Sequence, residues 1–307
     1  MLAFALRRLL AAIPTLFFVI LLAFLMMHAA PGGPFDSERT LPPEIEANIA
    51  AAYQLDEPLP VQFFSYLGGV LQGDFGPSFR YRDYTVSELI AGSFPLSLQV
   101  GGLAMLIALM FGIAAGSIAA LYRDSLIDRS IMAVSLTGIS IPVFVVAPLL
   151  VLVFSVSLAW LPAGWSSTAG GARLVLPVIA LALPQIAYIA RLLRASLVDV
   201  LASDFIRTAR AEGLTSGRIL LRHALKPALL PVISYLGPAV ASILTGSVVV
   251  EQIFGIPGLG QFFVTGALNR DYTLVLGIVV FYACLIVLFN LLVDLAYAAI
   301  DPRIRYT

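Results

Sequence analysis

Residues 95–121 read PLSLQVGGLAMLIALMFGIAAGSIAAL, 27 positions without one charged side chain. As a helix rising ~1.5 Å per residue this stretch would be about 40 Å long, and about 20 mainly apolar residues suffice to cross the hydrocarbon core of a bilayer. A helix that is apolar on every face has to be buried, and its length points to lipid. Comparable runs occupy Leu9–Ala30, Ile131–Trp160, Leu174–Ala190, Ala228–Val250 and Thr273–Ile300. The expected fold class is therefore an all-α integral membrane protein with six transmembrane helices. The fourth run is the shortest and carries Pro177 and Pro184. Kinks are tolerable there, because neighbouring helices can satisfy the freed backbone groups.

The whole chain agrees. Of its 307 residues 60% are apolar and 12% charged, against roughly 25% charged in an ordinary soluble domain. The mean hydropathy is +0.97. A water-soluble fold could not hide that much apolar surface. A single cysteine, Cys284, excludes an internal disulfide and a cysteine zinc site, and its apolar surroundings suggest a buried inert thiol. Arg7 and Arg8 precede the apolar stretch Leu9–Met27, which exceeds the ~7–15 residues of a signal-peptide core and lacks a clean small-residue cleavage site. It reads as an uncleaved first membrane helix.

Charge sets the orientation. Arg7, Arg8, Arg123, Arg129, Arg191, Arg194, Arg207, Arg210, Arg218, Arg222, Lys226, Arg303 and Arg305 fall on one side of the six spans, thirteen cations in all. Arg39, Arg80, Arg82, Arg173 and Arg270, five in all, fall on the other. By the positive-inside rule both termini are expected in the cytoplasm. The chain then divides into a first helix (1–30), an outer segment (31–94) and a five-helix core (95–307) containing a long inner connection (191–227). The outer segment holds ten aromatics, including Tyr53, Phe63, Phe64, Tyr66 and Phe75, too many for a disordered linker. Glu44–Tyr53 and Pro60–Leu71 are expected as short helices of an ordered outer cap.

The inner connection carries the functional signal. Residues 202–231 read ASDFIRTARAEGLTSGRILLRHALKPALLP. Ser203 or Asp204 can cap a short helix whose apolar stripe is Phe205, Ile206, Ala209 and Ala202, with Arg207 and Arg210 off it. Gly213 fits the position after a helix end that favours positive φ. Thr215 or Ser216 can cap a second short helix through Ile219, Leu220 and His223, and Pro227 ends it or starts the next membrane helix. The segment is either a basic amphipathic stretch lying on anionic lipid or a rigid knob for a groove on a soluble partner, able to pass that partner's displacement to the membrane.

The same segment resembles the loop of ABC-importer permeases whose pattern is E-A-A, three residues, G, nine residues, I-x-L-P. Gly213 matches the glycine, Arg207-Thr208-Ala209 stands in place of E-A-A, and His223-Ala224-Leu225-Lys226 in place of I-x-L-P. Arg-Thr-Ala-Arg-Ala-x-Gly-Leu followed by Leu-Arg-His-Ala-Leu is similar to the peptide and nickel branch. The likeness runs along the chain: Arg7-Arg8-Leu9-Leu10 with Ile13-Pro14-Thr15, Gly73-Asp74-Phe75-Gly76-Pro77-Ser78, Pro257-Gly258-Leu259-Gly260, Asn269-Arg270-Asp271-Tyr272, and Asp301-Pro302-Arg303-Ile304-Arg305. Pro34-Phe35 with Glu38 to Glu44, Phe64 to Leu67, and Asp74 to Phe79 look most like the B-type permease subunit of oligopeptide importers. The resemblance implies a type I importer fold in a bacterial inner membrane. It also implies a coupling loop formed by Arg207, Thr208, Ala209, Arg210, Glu212, Gly213, Arg222 and His223, docking onto an ATPase. The implied partners are a second, C-type permease subunit, two ATPase subunits of D- and F-type that hold ATP and Mg2+, and an extracytoplasmic solute-binding protein. Membrane lipid is a partner, and nucleic acid is not.

Other chemistry is missing from the sequence. There is no G-x-x-x-x-G-K-[ST], and Lys226 is the only lysine, so no phosphate-binding loop and no bound cofactor is expected on this chain. Without H-E-x-x-H a zinc protease is unsupported, and no catalytic or metal-binding residue is expected. His28 reads as interfacial packing and His223 as a structural hydrogen-bonding group. Asp294 alone places an ionisable group well inside a span, and pairing with Arg123 or Arg129 is expected. Ser234, Ser242, Thr245, Ser247 and Glu251 are candidates for a substrate path along the fifth span, with helix packing as the competing reading. Glu251–Gly260 is a candidate contact for substrate or receptor, or else a turn that only packs. A wide, mildly polar passage suits cargo whose side chains vary. The alternatives are a dipeptide or nickel permease of the same family and a self-sufficient secondary transporter.

Overall fold

The computed structural model describes residues 2–29, 57–81 and 83–300. The expected helix Glu44–Tyr53 lies outside them, with the rest of residues 31–56. The described residues are helical nearly throughout, with one β-bridge between Pro77 and Thr85. The helices are α1 (Leu2–Ala29), α2 (Leu59–Leu71), α3 (Val86–Leu121), α4 (Leu126–Ser140) and α5 (Val143–Leu150), the last continuing as the π-helical Val151–Ser157. A 3-10 stretch, Ser167–Leu174, leads into α6 (Val175–Leu201), followed by α7 (Asp204–Ala211). Then α8 (Ser216–Ile219), the π-helical Leu220–Ala224, α9 (Leu225–Ala228) and α10 (Leu230–Phe254) follow almost without interruption, before α11 (Leu259–Leu268) and α12 (Tyr272–Ile300).

Five of these helices are long and apolar enough to span a membrane, and a sixth span results if the bent pair Leu126–Ser140 and Val143–Ser157 counts as one. The pair bends by 103°. Pro142 causes the break, within the span expected over Ile131–Trp160: it pushes Ile141 to extended geometry (φ −90°, ψ 120°). The second span starts at Val86 rather than Pro95. Thr85 and Glu88 form a capping box there, Thr85 N donating to Glu88 Oε2 at 2.8 Å and Glu88 N to Thr85 Oγ1 at 3.2 Å. The fourth span runs on to Leu201, so Arg191 and Arg194, expected in the inner connection, lie within a helix. Nor does Pro227 break the chain; the helical path passes through it into α10.

The chain forms two compact units. The larger comprises Met1–Ala5, Leu98–Ile256 and Leu288–Thr307. Its central helix is α6, which packs against α4, α5, α9 and α10 and has twelve buried residues. α3 also meets α6 at close range through Gly112 and Gly116: a Cβ on Gly116 would lie 2.6 Å from Ala190 O, and one on Gly112 2.8 Å from Ile189 Cβ. Small residues four apart are what lets two membrane helices approach this closely. In the smaller unit, Leu6–Ser97 with Pro257–Val287, one cluster joins Val86, Leu89 and Ile90 to Leu259, Leu274 and Ile278. A second joins Ile20, Phe24 and Phe63 to Leu276 and Val280. Asp271 fastens the segment before α3 to the start of α12. Fully buried, it accepts from Ser78 Oγ (2.5 Å), Phe79 N (3.2 Å), Arg80 N (3.1 Å), Thr273 Oγ1 (3.1 Å) and Leu274 N (3.2 Å).

Candidate coupling segment and translocation face

The residues after α6 form the helix, glycine turn and helix that their spacing predicts. α7 ends in a full Schellman motif: Gly213 N donates to Arg210 O at 3.0 Å and Leu214 N to Ala209 O at 3.2 Å. Gly213 takes φ +80°, a conformation that costs any residue with a Cβ about 1–2 kcal/mol. At the other end the hydroxyl of Ser203 turns back to Val200 O (2.5 Å) and makes no cap bond.

One side of α7 is bound into the larger unit. Ile206 is completely buried and Ala209 nearly so, among Leu193 and Leu197 of α6, Ile219 of α8, Ala224 and Ala228. Burying an isoleucine side chain stabilises by about 1.5–3 kcal/mol, which holds the segment against α6 and α8. The other side is free. Arg207, Thr208, Arg210, Glu212, Gly213 and Arg222 are exposed, and His223 is half-buried. Phe205, expected in the apolar stripe, is 51% exposed instead, and Leu221 is 72% exposed. The Arg207–Asp204 pair, 3.2 Å apart in the open, contributes little. The free side is a basic surface with two large apolar side chains standing on it.

A buried ion pair sits near the α6 end that leads to this segment. Arg194 Nε donates to Asp128 Oδ1 at 3.0 Å and Nη2 to Oδ2 at 2.6 Å. Asp128 is 2% exposed and also accepts Asp124 N at 3.0 Å, where Asp124 is held at φ +63°. Its own N–H goes to the Ser125 cap at 3.3 Å. One carboxylate thus ties the turn after α3 and the start of α4 to α6. Asp294 had been read as the one ionisable group within a span; it is half-buried on α12. Arg123, one of its expected partners, pairs instead with the neighbouring Asp124 at 3.3 Å.

The substrate-path candidates separate into two sets. Ser234, Ser242 and Thr245 are exposed on α10, with Pro238, Val249 and Gln252 at helical spacing along the same face. Ser247 and Glu251 are buried on another face, the Ser247 hydroxyl bonding back to Leu244 O at 2.8 Å. A polar network underlies the exposed face. Buried Gln185 of α6 donates to Ser242 Oγ at 3.1 Å and accepts from the Tyr235 hydroxyl at 2.9 Å. Tyr235 stacks on Tyr188 with centroids 5.4 Å apart. A glutamine in an otherwise apolar run was the available signal for this network. Most of the stretch from Glu251 to Gly260 is buried, including Phe254, Ile256, Leu259 and Gly260. Phe254 O accepts Trp165 N at 2.7 Å, and Leu259 N donates to Ser97 Oγ at 2.9 Å. The packing alternative accounts for these contacts.

Residues 112–306 match the family of binding-protein-dependent transport system inner membrane components, and residues 1–100 match the N-terminal family of such membrane components. The chain is 56% identical over 309 residues to the oligopeptide transport system permease protein OppB of Salmonella typhimurium, with 100% of both chains covered. To the protein of that name in Haemophilus influenzae it is 52% identical over 306 residues, again with 100% of each covered. In fold it is similar to a chain of the MetNI methionine ABC transporter, with a TM-score of 0.58 at 18% identity over 69% of this chain and 96% of that one.

Proposed function

Since the chain belongs to the family of binding-protein-dependent transport system inner membrane components, we propose that it is the permease subunit of an ATP-driven importer that carries oligopeptides across the bacterial inner membrane. The observation that carries this reading is identity above half, along the full length, to oligopeptide permeases.

In the proposed assembly a second, C-type permease subunit completes the passage. Two ATPase subunits of D- and F-type bind ATP and Mg2+ on the cytoplasmic side, and a solute-binding protein delivers peptide from outside. The free side of α7, with Phe205, Arg207, Thr208, Arg210, Glu212 and the neighbouring Arg222 and His223, docks into a groove on one ATPase. Closure of the ATPases displaces α7. Ile206 and Ala209, seated against α6 and α8, pass that displacement to α6 and α10 as one body. The Asp128–Arg194 pair carries α4 along. The exposed polar face of α10, Ser234, Ser242 and Thr245, lines the passage, offering hydroxyls to peptide backbone groups common to every sequence. Ser247 and Glu251 hold the helix in place from behind.

The test is transport by reconstituted proteoliposomes. With all partners present, ATP-dependent uptake of tri-alanine is expected and nickel uptake is not. The chain by itself should neither hydrolyse ATP nor take up peptide. Gradient-driven uptake by the isolated chain would sink the proposal.

A further inference from the structure

From Gln185 to Leu201 the exposed residues of α6 are Tyr188, Arg191, Ala195 and Asp199, spaced to fall on one face. A groove of ≈ 400 Å³ opens on this face between α4 and α6, lined by Met132, Tyr188, Arg191, Leu192, Arg194 and Ala195. Two guanidinium groups border it, and they differ in kind. Arg194 is neutralised by its bidentate bond to Asp128. Arg191 forms no side-chain hydrogen bond or ion pair among the described residues. It stands ten residues before the end of α6, roughly 15 Å along the axis. An exposed guanidinium beside a groove, with no anionic side chain bound to it, suits an anion.

A chain of side-chain contacts links the groove to α10. Tyr188 lines the groove and stacks on Tyr235, which bonds Gln185, which bonds Ser242. A passage for peptides of any sequence can recognise only what all of them share: the backbone, the terminal ammonium and the terminal carboxylate. The planar fork of arginine matches a carboxylate with two parallel hydrogen bonds. We propose that Arg191, with the Tyr188 phenol beside it, forms a subsite for the free α-carboxylate of the translocated peptide. This inference rests on the oligopeptide reading above and adds the residue that distinguishes free-acid cargo from C-terminally blocked cargo.

The complete importer, in nanodiscs without nucleotide or binding protein, is titrated with tri-alanine and with tri-alanine amide. The free acid should bind the wild type about tenfold more tightly, the effect of one charge-assisted hydrogen-bonded contact. Arg191→Gln should remove most of that difference by weakening the acid. Arg191→Lys, which keeps the charge and loses the fork, should retain part of it, and it serves if the glutamine variant fails to assemble. Equal affinities in the wild type, no detectable binding of either peptide, or a preference that survives Arg191→Gln overturns the subsite. So does binding that responds to anionic lipid content but not to peptide blocking, which would make Arg191 a headgroup anchor. Failure of the importer reading would register separately, as absence of ATP-dependent tri-alanine uptake by the wild type.

Discussion

Gly213 and Asp128 stand at opposite extremes of how a single residue reveals its role. Gly213 was legible in the sequence, because a glycine four residues after the last member of an apolar stripe is the local chemistry of a helix end, and its φ of +80° follows from that. Replacing it with alanine should cost about 1–2 kcal/mol locally. Gly213→Pro is harsher, since proline fixes φ near −65° and removes the N–H that reaches Arg210 O. Either variant should insert normally but hydrolyse ATP with reduced uptake per ATP, measured in proteoliposomes; wild-type stoichiometry would refute the coupling role. Asp128 was not legible. Its partner Arg194 is 66 residues away, and only the packing of α4 on α6 makes them neighbours. Asp128→Asn leaves a guanidinium in a mostly buried setting. It should lower stability by about 3 kcal/mol, the low end for breaking a buried pair, because Arg194 keeps 28% of its side chain exposed. Thermal unfolding in detergent reads this directly.

At the scale of helices, mean hydropathy reported the surroundings of each element more than its importance. The contrast is clearest between α6 and α1: the α6 span is less apolar and more covered, the α1 span more apolar and less covered. α6 is the most buried of the spanning helices, with half of its most apolar stretch covered. A helix surrounded by protein can carry alanines, Gln185 and Arg194 where a lipid-facing one cannot. That is why the weakest span in the sequence turns out to be the centre of the larger unit, and why its end was placed too early. The close passage of α3 over α6 depends on two glycines. Gly116→Leu should force the helices apart, lowering yield and melting temperature more than Gly102→Leu, where added atoms meet open space. On α10 the predicted substrate path mixed two faces, because hydroxyls at 234, 242, 245 and 247 do not reveal from spacing alone which side is covered. Cys284, expected to be buried, is exposed; with it replaced by serine, cysteines at Ser242 and Thr245 should react with a water-soluble thiol reagent and slow uptake. A cysteine at Ser247 should stay protected, since Ser247 is 2% exposed. Equal labelling at all three positions would erase the distinction between the faces.

For the molecule as a whole the decisive quantity is the uneven division of cations across the bilayer. Over the six spans expected from the sequence, thirteen arginines and lysines are assigned to one side and five to the other. Arg191 and Arg194 lie within α6, ten and seven residues before its end, rather than in the connection that follows it. Each cation carried the wrong way would have to cross hydrocarbon, at a cost of about 2.5–3.5 kcal/mol at the helix centre. The excess of eight is therefore a strong bias toward cytoplasmic termini and a cytoplasmic α7. This topology is a precondition for coupling, because ATP is available only on that side and the chain's exposed basic surface must face it. Single cysteines introduced at Thr208 and at Asp83, again with Cys284 replaced by serine, should label from opposite sides of sealed vesicles. Thr208→Cys should react with an impermeant maleimide in inside-out vesicles and not in intact spheroplasts, and Asp83→Cys the reverse. If Thr208→Cys reacts in spheroplasts, the exposed helix cannot meet an ATPase, and charge will have misreported the orientation of the entire bundle.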